Sequence, residues 1–196
     1  SQLVVFFADL TGCEAVGVRL RQGADFPYYT TQGFPAAFVM AENSLCARDP
    51  LGETVRDAQG NPVLECMCGN ILRERFNPSL PFFTPRGSFW TNSTSGLLAT
   101  TNESDRQART RNRCNGEGYE TVALIPLRYQ GKTFGLIQFN DRRRGQLPDE
   151  RIEQLEHLVA YVALTLAKHL ADEQLRKSEE KYRLVVENAR EGIIII

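Results

Sequence analysis

A chain of 196 residues in which 23 Lys and Arg face 24 Asp and Glu carries a net charge of −1, too balanced for a protein whose main work is a sequence-independent grip on nucleic acid. With 42% hydrophobic and 24% charged residues it has globular composition rather than that of a disordered chain. No uncharged apolar run approaches the ~20 residues of a membrane span and no signal-peptide pattern opens the chain, so the sequence reads as soluble. The five cysteines, Cys13, Cys46, Cys66, Cys68 and Cys114, are an odd number. That argues against a disulfide framework and for a reducing cytoplasm.

Leu3, Phe6, Phe7 and Leu10 fall at i, i+3, i+4 and i+7, the stripe of an amphipathic helix that Thr11-Gly12 ends. Ala15 to Leu20 reads as a strand, Gln22 to Asp25 as a turn and Pro27 to Thr31 as the second arm of a hairpin. Pro27 cannot donate to a ladder and so marks an edge or a strand start. From Gly33 to Gly118 the pattern is irregular, with a short helix through Phe38-Val39-Met40 and a polar hairpin or loop from Asp49 to Pro62. So long a segment without clear elements usually carries function. Alternation returns at Val122 to Leu127, with Val122, Leu124 and Pro126 on one face and Ala123, Ile125 and Leu127 on the other. Tyr129 to Lys132 forms a turn, and Thr133 to Phe139 runs back.

A last helix starts near Pro148, with Asp149, Glu150 and Glu153 at its positive end. Ile152, Leu155, Val159, Val162 and Leu166 repeat at 3, 4, 3 and 4, and are read as a parallel dimer seam that leaves the domain. The alternative is a core helix with a frayed tail. Helical from Asp149 to Ala189, the rod would span roughly 60 Å. After Gly192 the run Ile193 to Ile196 reads as the opening of a buried strand, the start of a second domain.

Helix, hairpin, irregular middle, second hairpin and long helix make an α+β domain with an antiparallel sheet. Leu10-Thr11-Gly12-Cys13-Glu14-Ala15-Val16-Gly17-Val18, Val122 to Leu127 and Gly135-Leu136-Ile137-Gln138-Phe139 carry a resemblance to GAF domains over residues 1–170. Ser178 to Ala189 resembles the opening helix of a PAS domain, and Gly192-Ile193-Ile194 its first strand. The expected division is therefore a sensory domain at 1–170, a helical linker at 171–178 and a truncated PAS start at 179–196. Such an order is similar to the sensory half of bacterial histidine kinases and diguanylate cyclases. It implies a cytoplasmic, homodimeric regulatory module acting on PAS and effector domains in the same chain. Glu65 to Asn70, Gly87 to Thr94 and Arg111 to Tyr119 further resemble a cysteine-bearing subgroup of these domains.

Cys46, Cys66, Cys68 and Cys114 are spaced C-x19-C-x-C-x45-C. If they converge, four thiolates can hold zinc or an iron–sulfur cluster. Otherwise they serve as a thiol–disulfide switch or pack as small hydrophobes. Cys-x-Cys puts both sulfurs on one side of an extended backbone but about 200° apart on a helix. Phe82, Phe83, Phe89, Trp90 and Tyr119 gather around Thr91, Asn92, Ser93 and Thr94, as in a small-ligand pocket; Phe83, Phe89, Trp90, Asn92 and Tyr119 are the expected ligand contacts. Arg106, Arg109, Arg111 and Arg113, and Arg142 to Arg144, suit either an anion or solvated faces paired with acids. His157 and His169 both lie on the last helix, so a Cys–His nucleophile pair has little support. The expected function is non-catalytic sensing of a small ligand or a cysteine-held metal centre. The alternatives are a thiol enzyme of the methionine sulfoxide reductase type and a purely structural dimerisation module.

Overall fold

The computed structural model describes residues 2–192; the Ile193–Ile196 run, read above as the first strand of a PAS domain, lies outside the described residues. Five strands form one antiparallel sheet: β1 (Ala15–Leu20), β2 (Tyr28–Gln32), β3 (Phe89–Thr91), β4 (Thr121–Tyr129) and β5 (Lys132–Asp141). Their order is β2-β1-β5-β4-β3, so the two hairpins expected from sequence meet at the β1–β5 seam. Pro27 stands just before edge strand β2, where a missing N–H interrupts no ladder. At the β4–β5 turn Gln130 and Gly131 have φ of 49° and 72°. Two consecutive positive φ values are what a two-residue hairpin turn requires, and glycine supplies one without strain.

Alternation along the strands sorts the apolar residues onto two faces. Val16 and Val18 of β1, Ala123, Ile125 and Leu127 of β4, and Ile137 and Phe139 of β5 meet α1 (Gln2–Thr11) and α6 (Asp149–Gly192). Ala15, Val122, Leu124 and Leu136 face the other way, toward α2 (Ala36–Glu42), α3 (Cys66–Leu72) and the connecting loops. Two short helices, α4 (Thr94–Thr100) and α5 (Arg113–Gly116), complete this second layer.

Three expectations change. Val4 and Phe7 are the buried residues of α1, while Phe6 and Leu10 are exposed, because the helix meets the sheet along a face displaced from the Leu3–Leu10 stripe. The Ile152–Leu166 repeat is not free for a partner: Ile152, Leu155 and Val159 are buried against the sheet, and Val162 and Leu166 are half-buried in the same core. A 3-4 repeat describes any helix with one apolar face, whether it lies on a sheet or on a second helix. Glu156, on the same helix, is buried and accepts hydrogen bonds from Thr84 Oγ1 at 2.5 Å and Ser88 Oγ at 2.6 Å, tying the loop before β3 to α6. Beyond Leu170 the described side chains of α6 are almost all exposed as the helix leaves the domain.

The third change is in the irregular middle, which holds more order than its pattern suggests. Its polar excursion is a doubled turn, Arg48-Asp49-x-x-Gly52 followed by Arg56-Asp57-x-x-Gly60. In each copy the Asp carboxylate accepts from the backbone N–H groups two and four residues on. Each Arg donates to the carbonyl of the closing glycine. Ala47, Val55 and Val63 close the arm with a ring of three backbone hydrogen bonds.

Candidate functional site

Helix α3 was not legible in sequence because all seven of its residues are buried, so no polar face marks its period. It presses closely on the strand-like segment before it: a Cβ added at Gly69 would come within 2.8 Å of the Leu64 backbone. Its buried Asn70 donates to the Arg106 carbonyl at 2.7 Å and accepts from Arg75. These bonds fix α3 to the loop that closes over it. The first residue of α3, Cys66, has φ 65°, a backbone region that non-glycine residues seldom occupy, and its N–H donates to the Arg109 carbonyl at 3.2 Å.

In that conformation Cys66 and Cys68 line one cavity, where a regular helix would set them about 200° apart. The neighbouring Cys68 thiol draws the Cys66 pKa down although burial opposes it. The Cys66 sulfur and burial together push the Cys68 thiol well up. Cys114, on α5, is raised to about 12 by burial and by the neighbouring Cys66 sulfur. Cys66, Cys68 and Cys114 line a cavity of about 60 Å³ between the sheet and α3, α4 and α5, with Phe89, Val122 and Leu124 among its apolar walls.

Beneath the thiols lies a polar network that the sequence reading passed over. Gln138 of β5 is buried, and its Oε1 accepts from Tyr28 Oη at 2.9 Å and from Cys68 Sγ at 4.0 Å. Its Nε2 donates to Asn140 Oδ1 at 2.9 Å and points at Cys114 Sγ, 3.7 Å away. Arg19, fully buried on β1, stacks its guanidinium 3.6 Å from the Tyr28 ring centroid and donates to the carbonyls of Phe26 and Glu42. The available signal was the alternation Leu136, Gln138, Asn140: two amides at core positions of a strand need partners.

Cys46 stands apart. It does not line the cavity, and burial foremost, then the nearby Asp25 carboxylate, raises its pKa. Among the described residues no group of three or more His, Cys, Asp and Glu side chains is placed to hold a metal ion. The four cysteines expected to share one site thus separate into three and one. Cys13 is buried with a raised pKa in the other core, below α1.

The aromatic set divides as well. Phe89 and Trp90 are consecutive on β3 and so face opposite sides of the sheet: Phe89 lines the cavity, and Trp90 packs with the α1–α6 core. Asn92 is a structural clamp, donating to the Leu147 carbonyl at 2.7 Å and accepting from the Leu147 N–H at 3.0 Å. Phe83 packs on Phe82 and Phe89 behind the wall. Tyr119 lies outside the cavity, edge-on to Phe34 and Phe38 and under Arg142. Both arginine clusters are largely paired with acids: Arg111 with Glu65, Arg113 with Glu42, Arg143 with Asp141 and Arg144 with Glu120.

The family model of the GAF domain matches residues 2–166. No curated protein is similar enough in sequence to be matched. Among solved structures, the chain resembles a domain of a two-component sensor histidine kinase protein from Sinorhizobium meliloti, with TM-score 0.55 and 11% identity over 89% of this chain and 93% of that one. It also resembles the GAF domain of a phosphoenolpyruvate-protein phosphotransferase from Coxiella burnetii, with TM-score 0.57 and 13% identity over 87% and 81%. A third likeness is to the type II free methionine-R-sulfoxide reductase of Thermoplasma acidophilum, with TM-score 0.51 and 9% identity over 83% and 85%. At these identities the likenesses establish the fold. Among the described residues no helix is long and apolar enough to cross a membrane.

Proposed function

The chain belongs to the GAF domain family, and from that premise we propose that it is a cytoplasmic sensory domain of a multidomain signalling protein of the sensor histidine kinase kind. In this reading residues 1–170 bind a small ligand under α3–α5 and residues 171–178 link them to a PAS domain that begins near 179. The chain pairs with a second copy through its C-terminal helix. The observation that carries the proposal is the two-sided strand β4. Val122 and Leu124 line the cavity while Ala123, Ile125 and Leu127 support α6 and α1. A ligand that moves β4 therefore acts directly on the helix that leaves the domain. It shifts that helix only by as much as it favours one setting over the other.

A cavity of about 60 Å³ has room for about five water-sized groups, far fewer than a nucleotide or tetrapyrrole needs. The test is thermal unfolding of the purified protein with nitrate, nitrite, formate and acetate. Leu124→Trp, which fills the cavity, serves as control. A ligand at about one hundred times its Kd adds about 2.7 kcal/mol, enough to raise Tm by several degrees. At least one probe is expected to do so in the native protein, to alter amide exchange in α6, and to do neither in the Trp variant. If none of these probes raises Tm, the small-ligand reading fails.

A second reading, a thiol enzyme of the methionine sulfoxide reductase type, draws on Cys66, Cys68 and Cys114 at the cavity and on the fold shared with the Thermoplasma enzyme. The size of the cavity weighs against it. Incubation with free methionine sulfoxide and dithiothreitol is expected to give no turnover, and catalytic consumption would establish this reading over the first.

A further inference from the structure

Three thiols converge on one small cavity, and they are not equivalent. Cys66 and Cys68 are close enough for each to shift the other's titration, and the Cys68 thiol points at the Gln138 amide oxygen, 4.0 Å away. Cys114 stands on the far side of that same amide. Cys66 keeps this position in a left-handed backbone conformation at φ 65°, an arrangement that costs of order 1–3 kcal/mol and persists only where its surroundings enforce it. Packing alone does not demand it, since a small buried hydrophobe is served equally well by an unstrained residue. With it in place, Cys66 and Cys68 line the same cavity.

We propose that Cys66 and Cys68 form a peroxide-responsive dithiol at the wall of the cavity, Cys66 being the attacking sulfur and Cys68 the resolving one. In the first step the Cys66 thiolate attacks one oxygen of hydrogen peroxide. A sulfur–oxygen bond forms as the oxygen–oxygen bond breaks, sulfur is oxidised by two electrons to the sulfenic acid, and the departing hydroxide takes a proton to leave as water. In the second step the Cys68 sulfur attacks the Cys66 sulfur and its proton accompanies the departing oxygen as water. The sum is two thiols and one peroxide giving one disulfide and two waters. An external dithiol reverses it by exchange.

The surroundings assign the roles. The neighbouring Cys68 thiol draws the Cys66 pKa down from the ordinary range, so more of Cys66 is thiolate at neutral pH than the few per cent of an ordinary thiol. Cys68, pushed well up by the Cys66 sulfur and by burial, stays protonated. The Cys114 thiol, held up near 12 by burial and by the Cys66 sulfur, is the least able of the three to start the reaction. The cavity admits a molecule of two heavy atoms, and hydrogen peroxide, being neutral, enters it without the cost of desolvating a charge. Once the disulfide forms, Gln138 loses the Cys68 donor and keeps Tyr28 and Asn140, so the change reaches β5 directly.

The proposal rests on the sensory reading for its output alone, and the experiment separates the two. The full 196-residue protein, reduced and freed of reductant, is treated with a small excess of hydrogen peroxide. Thiols are then titrated, and the tryptic peptide from Asp57 to Arg73, which contains Cys66 and Cys68, is weighed. The expected result is a fall of titratable thiols from five to three and a peptide lighter by two hydrogens, both reversed by dithiothreitol. Cys68→Ser is expected to leave a sulfenic acid at Cys66 that a cyclic 1,3-dione traps, and Cys114→Ser to leave the disulfide intact. Five thiols surviving peroxide, oxidation falling first on Cys13 or Cys46, or a disulfide that requires Cys114 would each overturn the dithiol while leaving the small-ligand reading standing. A disulfide that forms with no change in α6 amide exchange confirms the chemistry and removes its signalling output.

Discussion

The backbone of Cys66 and the carboxylate of Glu120 each give a single-residue test. A non-glycine residue at φ 65° stores strain that glycine does not, so Cys66→Gly and Cys66→Ala lose similar side-chain contacts but differ in backbone cost. The Gly variant is expected to be more stable than the Ala variant by about 1 kcal/mol, read as the difference in urea midpoints. Equal midpoints would mean that the segment relaxes to an ordinary conformation when the sulfur is gone. Glu120 accepts hydrogen bonds from Ser95 and Ser93 and an ion pair from Arg144. The Ser95 bond foremost, then Arg144, holds its pKa down at about 2. A carboxylate depressed in the folded state contributes stability that is complete above its ordinary pKa near 4.5 and is lost as pH falls toward 2. Glu120→Gln is therefore expected to flatten the fall in urea midpoint between pH 4.5 and pH 2; an unchanged slope would assign the acid sensitivity to other carboxylates.

Among the elements, α3 shows why part of the site was hidden in the sequence. Strands with alternating faces and helices with one apolar stripe announce themselves, and β1, β4, β5 and the start of α6 all stand where the pattern puts them. A helix buried on every side has no period to read, and β3 with three residues is too short to show one. The aromatic pair Phe89-Trp90 divides for the same reason: without knowing that these residues form a strand, nothing in the sequence says that they part company. The thiols are visible by residue type, but which of them share a cavity depends on how α3 and α5 pack on the sheet, which composition does not encode. The tightness of α3 against Leu64 gives a test. On an open helix Gly69→Ala would be favourable by about 1 kcal/mol. Here the added methyl meets backbone, and overpacking of about 1–3 kcal/mol is expected to leave the variant less stable by 1 kcal/mol or so and the Cys66–Cys68 pair disturbed. A stabilised Gly69→Ala would mean that α3 can back away from the Leu64 segment.

For the molecule as a whole, the correction to α6 changes where a partner copy can attach. The repeat that suggested a seam is consumed within the domain, yet Tyr161, Leu164, Leu175, Tyr182 and Val186 on α6 and Val5, Phe6 and Leu10 on α1 are exposed. Tyr161, Leu175 and Tyr182 fall at multiples of seven residues, on one line of the helix. If these apolar residues are the pairing surface, sedimentation of residues 1–196 gives a dimer that Tyr161→Glu with Leu175→Glu weakens at least tenfold in Kd. A monomer in the native protein would remove the helix-pairing model, and a dimer indifferent to both changes would move the contact to α1.

The departure of α6 from the sheet also has a purely mechanical consequence. Some 22 residues of helix extend from Ala171 to Gly192, about 33 Å at 1.5 Å per residue, while the grip on the sheet is confined to the turns before Leu170. The geometry is that of a long arm on a short fulcrum. A tilt of only ~5° where Leu155 and Val159 rest on β4, roughly 50 Å from Gly192, carries the far end through ~4 Å, a displacement amplified by length alone. Side chains on the projecting arm need no contact with the cavity to register what happens beneath it.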